Sequence, residues 1–334
     1  MKVLAIVTAL TAAAALGACN KAQEPESAVT LRVGIVAKSL GNGFFDAVHK
    51  GADEAAKELG GTEVIFTGPT TPTAEGQIEV INALVAQRVD AIAISANDPD
   101  ALVPTLERAM RRGVKVVSFD SAVAEKGRVV HLAPSSNELI GLTCLELAAS
   151  AIPGGRGKIA IVSATPTSTN QNEWIAAMKQ ALPEFPGLEI VAVAYGDDVA
   201  DKSYRETVAL VRRHTDLAAI VAPTSVGIVA AAKAIEDQGL TGRVFVTGLG
   251  LPSELAGHVK SGSVKSFAIW NPIDLGYAAT HLAVRLARGE NIAPGSSAAI
   301  GRMGEVSFGS DGVGAMNKPF VYDASNIEQY VGIF

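Results

Sequence analysis

The chain has 334 residues, 48% hydrophobic and 19% charged, with 33 glycines and a formal net charge of -6. That composition excludes a largely disordered chain, and the length exceeds one average core and suits two α/β lobes, at roughly 100 to 200 residues per domain. Acidic and basic residues are mixed with no basic stripe, which excludes nucleic acid as a natural partner.

The chain opens on MKVLAIVTALTAAAALGAC: one lysine, an uncharged apolar run, then small residues. This is the layout of a secretory signal peptide, expected over residues 1–18. The run is short for a membrane span, which takes about 20 apolar residues. Leu16, Gly17, Ala18 and Cys19 resemble a bacterial lipobox, in which the cysteine is acylated and becomes the first mature residue. The plainer alternative is cleavage after a small residue with Cys19 incidental. Residues 19–30, including NKAQEPESAV, then form a polar tether, and the folded part is expected outside the cytoplasm, anchored to a membrane through lipid on Cys19. Cys144 is the other cysteine; in the apolar helix NELIGLTCLELAASAI it reads as a small buried hydrophobe. His49, His131, His214, His258 and His281 are scattered with no ligand spacing, so neither a metal nor a cofactor is implied.

From Leu31, the β-branched runs LRVGIVA, TEVIFTG, DAIAISA and KVVSFD alternate with helical stretches. Alternation of this kind predicts a parallel sheet wrapped by helices. In TAEGQIEVINALVAQR, Ile78, Ile81, Leu84 and Val85 share one face at helical spacing and are expected to be buried. After VVHLAPSS the pattern restarts with KIAIVSA, EIVAVAYG, LAAIVAPT and RVFVTGLG. SFAIWN and the helix PIDLGYAATHLAVRLARG follow, then a glycine-rich stretch and PFVYDASNIEQY. The fold class is therefore α/β, two Rossmann-like lobes in tandem.

Open parallel sheets bind ligands beyond the carboxyl ends of their strands. Candidate residues recur at those exits: Lys38, Ser95, Asn97 and Asp120 in the first array, then Asn170, Gln171, Pro223 to Ser225, Gly248 to Leu251, Asn271 and Asp274 in the second. A carboxylate, an ammonium and several amides suit a polyol, whose hydroxyls each donate and accept. Phe44, Phe45, Trp174 and Trp270 stand beside them and have faces that can stack on a sugar ring; the alternative for the phenylalanines is a purely core role. Glu54, Lys57 and Glu58 read as a solvated helix face.

The stretches SLGNGFF, SANDPDAL, SFDS, TNQNEW, APTSVGIVAAA and TGLGLPSE together resemble the type I periplasmic binding proteins, nearest to the rhamnose-binding proteins of ABC importers and the related autoinducer-2 receptors. The resemblance runs from about Leu31 to Gly289. It implies a monomeric, non-enzymatic receptor whose two lobes close at a hinge on a small sugar, and which serves an ABC permease and its ATPase. Crossing segments are implied near Ala133 and Pro134 and near Trp270 and Asn271, with a third after Gly289. Lobe 1 is then expected over 31–133 plus about 271–300, and lobe 2 over 134–270 plus about 318–334.

Position by position, Lys38, Asp120, Gln171 and Pro223 match ligand contacts of the autoinducer-2 receptors. Asn170 and Ser225 depart from the aspartate and alanine found there, which favours L-rhamnose as the ligand over autoinducer-2 or another aldose. Asn42, Phe44 and Phe45 fit positions used by ribose-binding relatives, whereas Ser121 stands where those carry an arginine. Trp174, Asn271 and Asp274 complete the expected set.

Two other classes fit less well. A nucleotide-dependent oxidoreductase would use GLGLPS at Gly248 to Ser253, but that run lacks the third glycine and has Pro252 in the turn. A sugar-responsive transcription regulator would carry a helix-turn-helix where this chain has an export signal. A chemoreceptor is a further partner that a receptor of this kind can have.

Overall fold

The structure, a computed structural model, describes residues 30–334. The expected signal peptide, Cys19 and the tether up to residue 29 lie outside the described residues.

The first array runs β1 (Leu31–Val36), α1 (Gly43–Leu59), β2 (Thr62–Thr67), α2 (Ala74–Ala86), β3 (Ala91–Ile94), α3 (Val103–Arg111), β4 (Lys115–Phe119) and β5 (Val130–Ala133). The second runs α4 (Asn137–Ala151), β6 (Gly157–Ser163), α5 (Thr169–Ala181), β7 (Leu188–Tyr195), α6 (Ala200–Arg213), β8 (Leu217–Ala222), α7 (Ser225–Asp237), β9 (Phe245–Gly248), α8 (Pro252–Ser261) and β10 (Ser266–Ile269). The chain ends with α9 (Pro272–Ala287), β11 (Ser297–Ala299), β12 (Glu305–Ser307), β13 (Val313–Ala315) and β14 (Phe320–Asp323).

The first sheet is parallel throughout, in the order β13-β5-β4-β3-β1-β2. The second is parallel in the order β7-β6-β8-β9, and β10 continues it through an isolated bridge from Leu249 to Ala268, with β14 antiparallel at its edge. In each sheet the first strand of the array lies between the second and third, so the chain reverses winding direction beside β1 and again beside β6. Such switch points open a crevice at the carboxyl ends of the strands. Lys38 leaves β1 and Gln171 follows β6, so the two crevices supply facing walls.

Helices cover both faces of the sheets, which is why strands such as AIAI of β3 are buried at every position. Val33, Ile35, Ala91 and Ala93 pack on one face of the first sheet, while Val36, Ile92, Ile94 and Val116 meet Ile81, Leu84 and Leu106 on the other. The predicted apolar face of α2 is narrower than its spacing suggests: Ile81 and Leu84 are buried, but Ile78 and Val85 only half so. The remaining interior place goes to Gln77, fully buried because its amide satisfies backbone groups of the strand exits.

Although α9 follows β10, it packs on α1 and on the first sheet. The two helices approach so closely that a Cβ at Gly51 would stand 1.8 Å from the Ile273 carbonyl oxygen, and one at Gly276 2.0 Å from that of Val48. The chain therefore leaves the first sheet after β5, returns to it with α9 after β10, and leaves it again between β13 in the first sheet and β14 beside β10. β13 pairs with β5, so Val313–Ala315 belong to the first sheet. Glu54 and Glu58 on α1 are not simply solvated: Arg302 pairs with Glu54 at 2.7 Å, and the Tyr277 hydroxyl donates to Glu58 at 2.6 Å.

Candidate functional site

Between the lobes lies a cavity lined by Lys38, Asn42, Phe44, Phe45 and Asp120 from the first array and by Asn170, Gln171, Trp174, Asp198 and Pro223 to Ser225 from the second, with Leu249, Ile269 and Trp270.

Its charged centre is built from three strand exits. Asp120 follows β4 in the left-handed backbone region, φ 57°, where aspartate is one of the few side chains tolerated. Its carboxylate accepts from the Ser95 hydroxyl at 2.7 Å and from the Asn170 amide at 3.0 Å. Lys38 Nζ donates to Ser168 Oγ at 2.8 Å and to Asn170 Oδ1 at 3.1 Å. Asn170 thus accepts from the ammonium and donates to the carboxylate at once. Burial raises the Asp120 pKa above the ordinary carboxylate value; Lys38 and the hydrogen bonds from Ser95 and Asn170 pull it down, and the charge of Asp198 pushes it up.

A second layer holds these groups. Gln77 donates to the carbonyl oxygens of Ala37 and Ser95, and its own oxygen accepts from the Asn97 backbone at 2.8 Å. Asn97 in turn donates to the Lys38 carbonyl oxygen at 2.8 Å. The exits of β1 and β3 are therefore tied together by two buried amides. On the other wall, Gln171 Oε1 accepts from Ser163 Oγ and the Ala164 backbone, which leaves its amino group as the polar atom for the cavity.

Asn42 caps α1, accepting from the Phe44 backbone, and meets Ser225 Oγ at 3.4 Å across the cleft. Phe44, Phe45, Trp270 and Trp174 form a continuous aromatic wall, with edge contacts of 5.2 Å between the phenylalanines, 6.1 Å from Phe44 to Trp270 and 5.6 Å between the tryptophans. They serve the core and line the cavity together. Trp174 Nε1 donates to Asn137, whereas the buried Trp270 Nε1 has no hydrogen-bond partner among the described residues.

Asn271 and Asp274 are not brought into this cavity. Asn271 caps α9 by accepting from Ile273 and donates to Asp274, whose other oxygen pairs with Arg302 at 2.9 Å. Both face a separate groove beside Met316 and Tyr322. In the other direction, the strand exits named from sequence include Thr224, within Pro223 to Ser225, but not Asp198. The strand-exit rule applied to EIVAVAYG points at GDD, and Thr224 opens α7 as its cap. Cys144 is buried and its thiol is pushed up to about 12 by burial, which leaves it un-ionised. Among the described residues no cluster of three or more His, Cys, Asp or Glu stands ready to hold a metal, and no helix is long and apolar enough to cross a membrane.

Comparison with known proteins agrees with this architecture. Residues 33–291 match the family model described as periplasmic binding protein domain. A D-ribose/D-allose-binding protein of Pseudomonas aeruginosa is 28% identical over 272 residues, 78% of this chain and 84% of that protein. The solved structure of an ABC transporter solute binding protein from Clostridium phytofermentas with bound L-rhamnose is 35% identical, with a TM-score of 0.87 over 92% of this chain and 100% of that one. LsrB from Clostridium saccharobutylicum in complex with AI-2 shares the fold at a TM-score of 0.85 and 23% identity, over 90% of this chain and 99% of that one. The chain belongs to the periplasmic binding protein family, as a sugar-binding component of an ABC importer and not an enzyme.

Proposed function

We propose that this receptor captures L-rhamnose between its lobes and hands it to an ABC permease and its ATPase, closing at the hinge as it binds. The observation that carries the reading is Asn170, an amide held between Lys38 and Asp120 in a cavity walled by four aromatic rings. Lys38, Asn42, Asp120, Asn170, Gln171 and Ser225 supply donors and acceptors for sugar hydroxyls, and Phe44, Phe45, Trp174 and Trp270 cover the C-H face and the methyl group of a deoxyhexose. The relative crystallised with L-rhamnose supports the choice. An unmethylated aldose is the second reading, favoured by the ribose/allose-binding relative. The lobes divide at 134–136, 270–271 and 316–319, and the receptor acts as a monomer; presentation of its closed form to a chemoreceptor is compatible with that action.

Calorimetry against L-rhamnose, autoinducer-2, ribose, allose, xylose and galactose tests the ligand. Tight binding of another panel member with no heat from L-rhamnose overturns the ranking. Asp120→Ala removes a charged acceptor in a dry site, a bond worth roughly 1.5 to 3 kcal/mol, so affinity should fall about tenfold or more. An unchanged affinity rejects the site assignment.

The same proposal includes acylation of Cys19, which keeps the receptor at the membrane by its tether. Cys19→Ser should release the protein into the soluble fraction or leave the precursor uncleaved. Absence of label from a fatty-acid analogue on the wild type rejects the anchor.

A further inference from the structure

We propose that Asp198 is a second cleft carboxylate, one that accepts a sugar hydroxyl from the β7 side and, together with Asp120, makes the pocket reject anionic sugars. This rests on the reading of the cavity as the sugar site and goes beyond it by assigning a specificity element.

The turn after β7 is built to present this side chain. Asp197 and Asp198 occupy the left-handed region in succession, with φ of 55° and 52°. L-residues rarely adopt it, and aspartate is among the few that do. The Asp197 backbone donates to the Ala164 carbonyl and that of Gly196 to Ser163, so the turn is fastened to the exit of β6, beside Gln171. The two neighbouring carboxylates then part company. Asp197 turns to Lys202 at 2.5 Å, whereas Asp198 lines the cavity.

Thr224 fixes its orientation. The Thr224 hydroxyl accepts from the Gly227 backbone at the start of α7 and donates to Asp198 Oδ1 at 2.5 Å. Among the described residues Oδ2 makes no hydrogen bond, so one oxygen is anchored and the other remains an acceptor. Lys38, Asp120 and Asp198 are the charged side chains of the lining, and they sum to one negative charge. A neutral polyol donates hydroxyl hydrogens to both carboxylates. An aldonate, uronate or sugar phosphate brings a like charge into a poorly screened space and is repelled. The Asp198 charge is also the smallest of the influences on the Asp120 carboxyl, acting with burial to raise its proton affinity against Lys38, Ser95 and Asn170.

Calorimetry on the purified protein with L-rhamnose and with its aldonic acid tests the inference, using Asp198→Asn, Thr224→Val and Asp120→Ala. The amide in Asp198→Asn still accepts from Thr224 but binds a hydroxyl less strongly, so rhamnose affinity should fall about tenfold while aldonate binding rises. Affinity depends on ionised Asp120 and declines as pH falls through its pKa. Lys38 and Asp198 are the charged groups facing Asp120, so Asp198→Asn removes one source of the upward shift and should move that decline to lower pH. Thr224→Val removes the anchor but keeps the charge, and should weaken rhamnose binding while leaving aldonate excluded. If Asp198→Asn binds rhamnose within twofold of wild type with a superimposable pH profile, Asp198 only braces Thr224 and the inference fails. If Asp120→Ala is also without effect, the failure belongs to the sugar-site reading. Should another aldose prove the ligand, the same comparison is made with that sugar and its aldonic acid.

Discussion

Asn170 donates to Asp120 across the cleft at 3.0 Å while accepting from Lys38 at 3.1 Å. Only a side chain carrying both a donor and an acceptor at its tip can do this, and aspartate has no donor when ionised. Asn170→Asp would set two carboxylates face to face in a buried site. Rhamnose affinity at neutral pH should drop by tenfold or more, since like charges opposed in a dry interface cost several kcal/mol. As pH falls, one of the pair takes up a proton and can donate again, so part of the affinity should return. Calorimetry from pH 8 to 5 reads this directly. A loss that stays constant with pH would show that charge is not the cause.

Gln77→Leu tests the layer beneath the site. The side chain is fully buried and serves the carbonyls of Ala37 and Ser95 and the amide of Asn97. Leucine matches its size but strands those three groups, and each buried orphan costs about 1 to 3 kcal/mol. Chemical denaturation should show a loss of at least about 2 kcal/mol, with weaker ligand binding as the exits of β1 and β3 lose register. A stability within 0.5 kcal/mol of wild type, a difference typical of roughly neutral surface changes, would mean that these groups find other partners.

These residues also show how far the sequence carries. Alternating strands and helices disclose two open sheets, and the rule that such sheets bind at their strand ends finds Lys38, Asp120 and Gln171 because the exits are short. It overreaches at Asn271 and Asp274, since a helix cap and a salt-bridged carboxylate have the same residue types and spacing as ligand contacts. Gln77 is hidden among Ile78 and Ile81 because periodicity assigns interior places to apolar residues, and a long-range amide-to-backbone network leaves no periodic trace. Asp198 is missed for a different reason: the same rule points at GDD after EIVAVAYG, but residue type does not say which of the two adjacent aspartates, both in left-handed backbone, faces the cavity.

Acid stability should depend on His131. Burial holds its imidazole down to about 3, with the charge of Arg128 acting in the same direction and Ser118 and Asp311 opposing. The unfolded chain binds the proton near pH 6.5, the folded one only near 3, so stability is full above 6.5 and falls as pH drops between those values. At pH 4.5 the loss from this group is on the order of 2 to 3 kcal/mol, at 1.36 kcal/mol per unit. His131→Gln, which can still bond Ser118, should flatten the decline between pH 6.5 and 4.5 in urea melts. Parallel curves for the two proteins would assign the decline to other groups.

The final prediction concerns closure. Thr167 Oγ1 donates to the Asn97 carbonyl oxygen at 2.9 Å and Thr169 Oγ1 to that of Ala122 at 3.1 Å, both across the cleft, yet neither residue lines the cavity. These bonds tie lobe to lobe directly, so they favour the closed arrangement whatever sugar lies inside. Thr167→Val with Thr169→Val removes two bonds worth about 0.5 to 1.5 kcal/mol each, and with Thr167 exposed the lower end applies. A shift of about 1 kcal/mol in the closing equilibrium weakens apparent affinity about fivefold, and because it acts on the protein alone, the factor should be the same for every sugar bound. Solution scattering should show the wild type contracting on saturation with ligand, and the double variant reaching the same final radius. Sugar-dependent factors would place the threonines in contact with ligand, and a radius unchanged by saturating ligand in the wild type would remove hinge closure altogether.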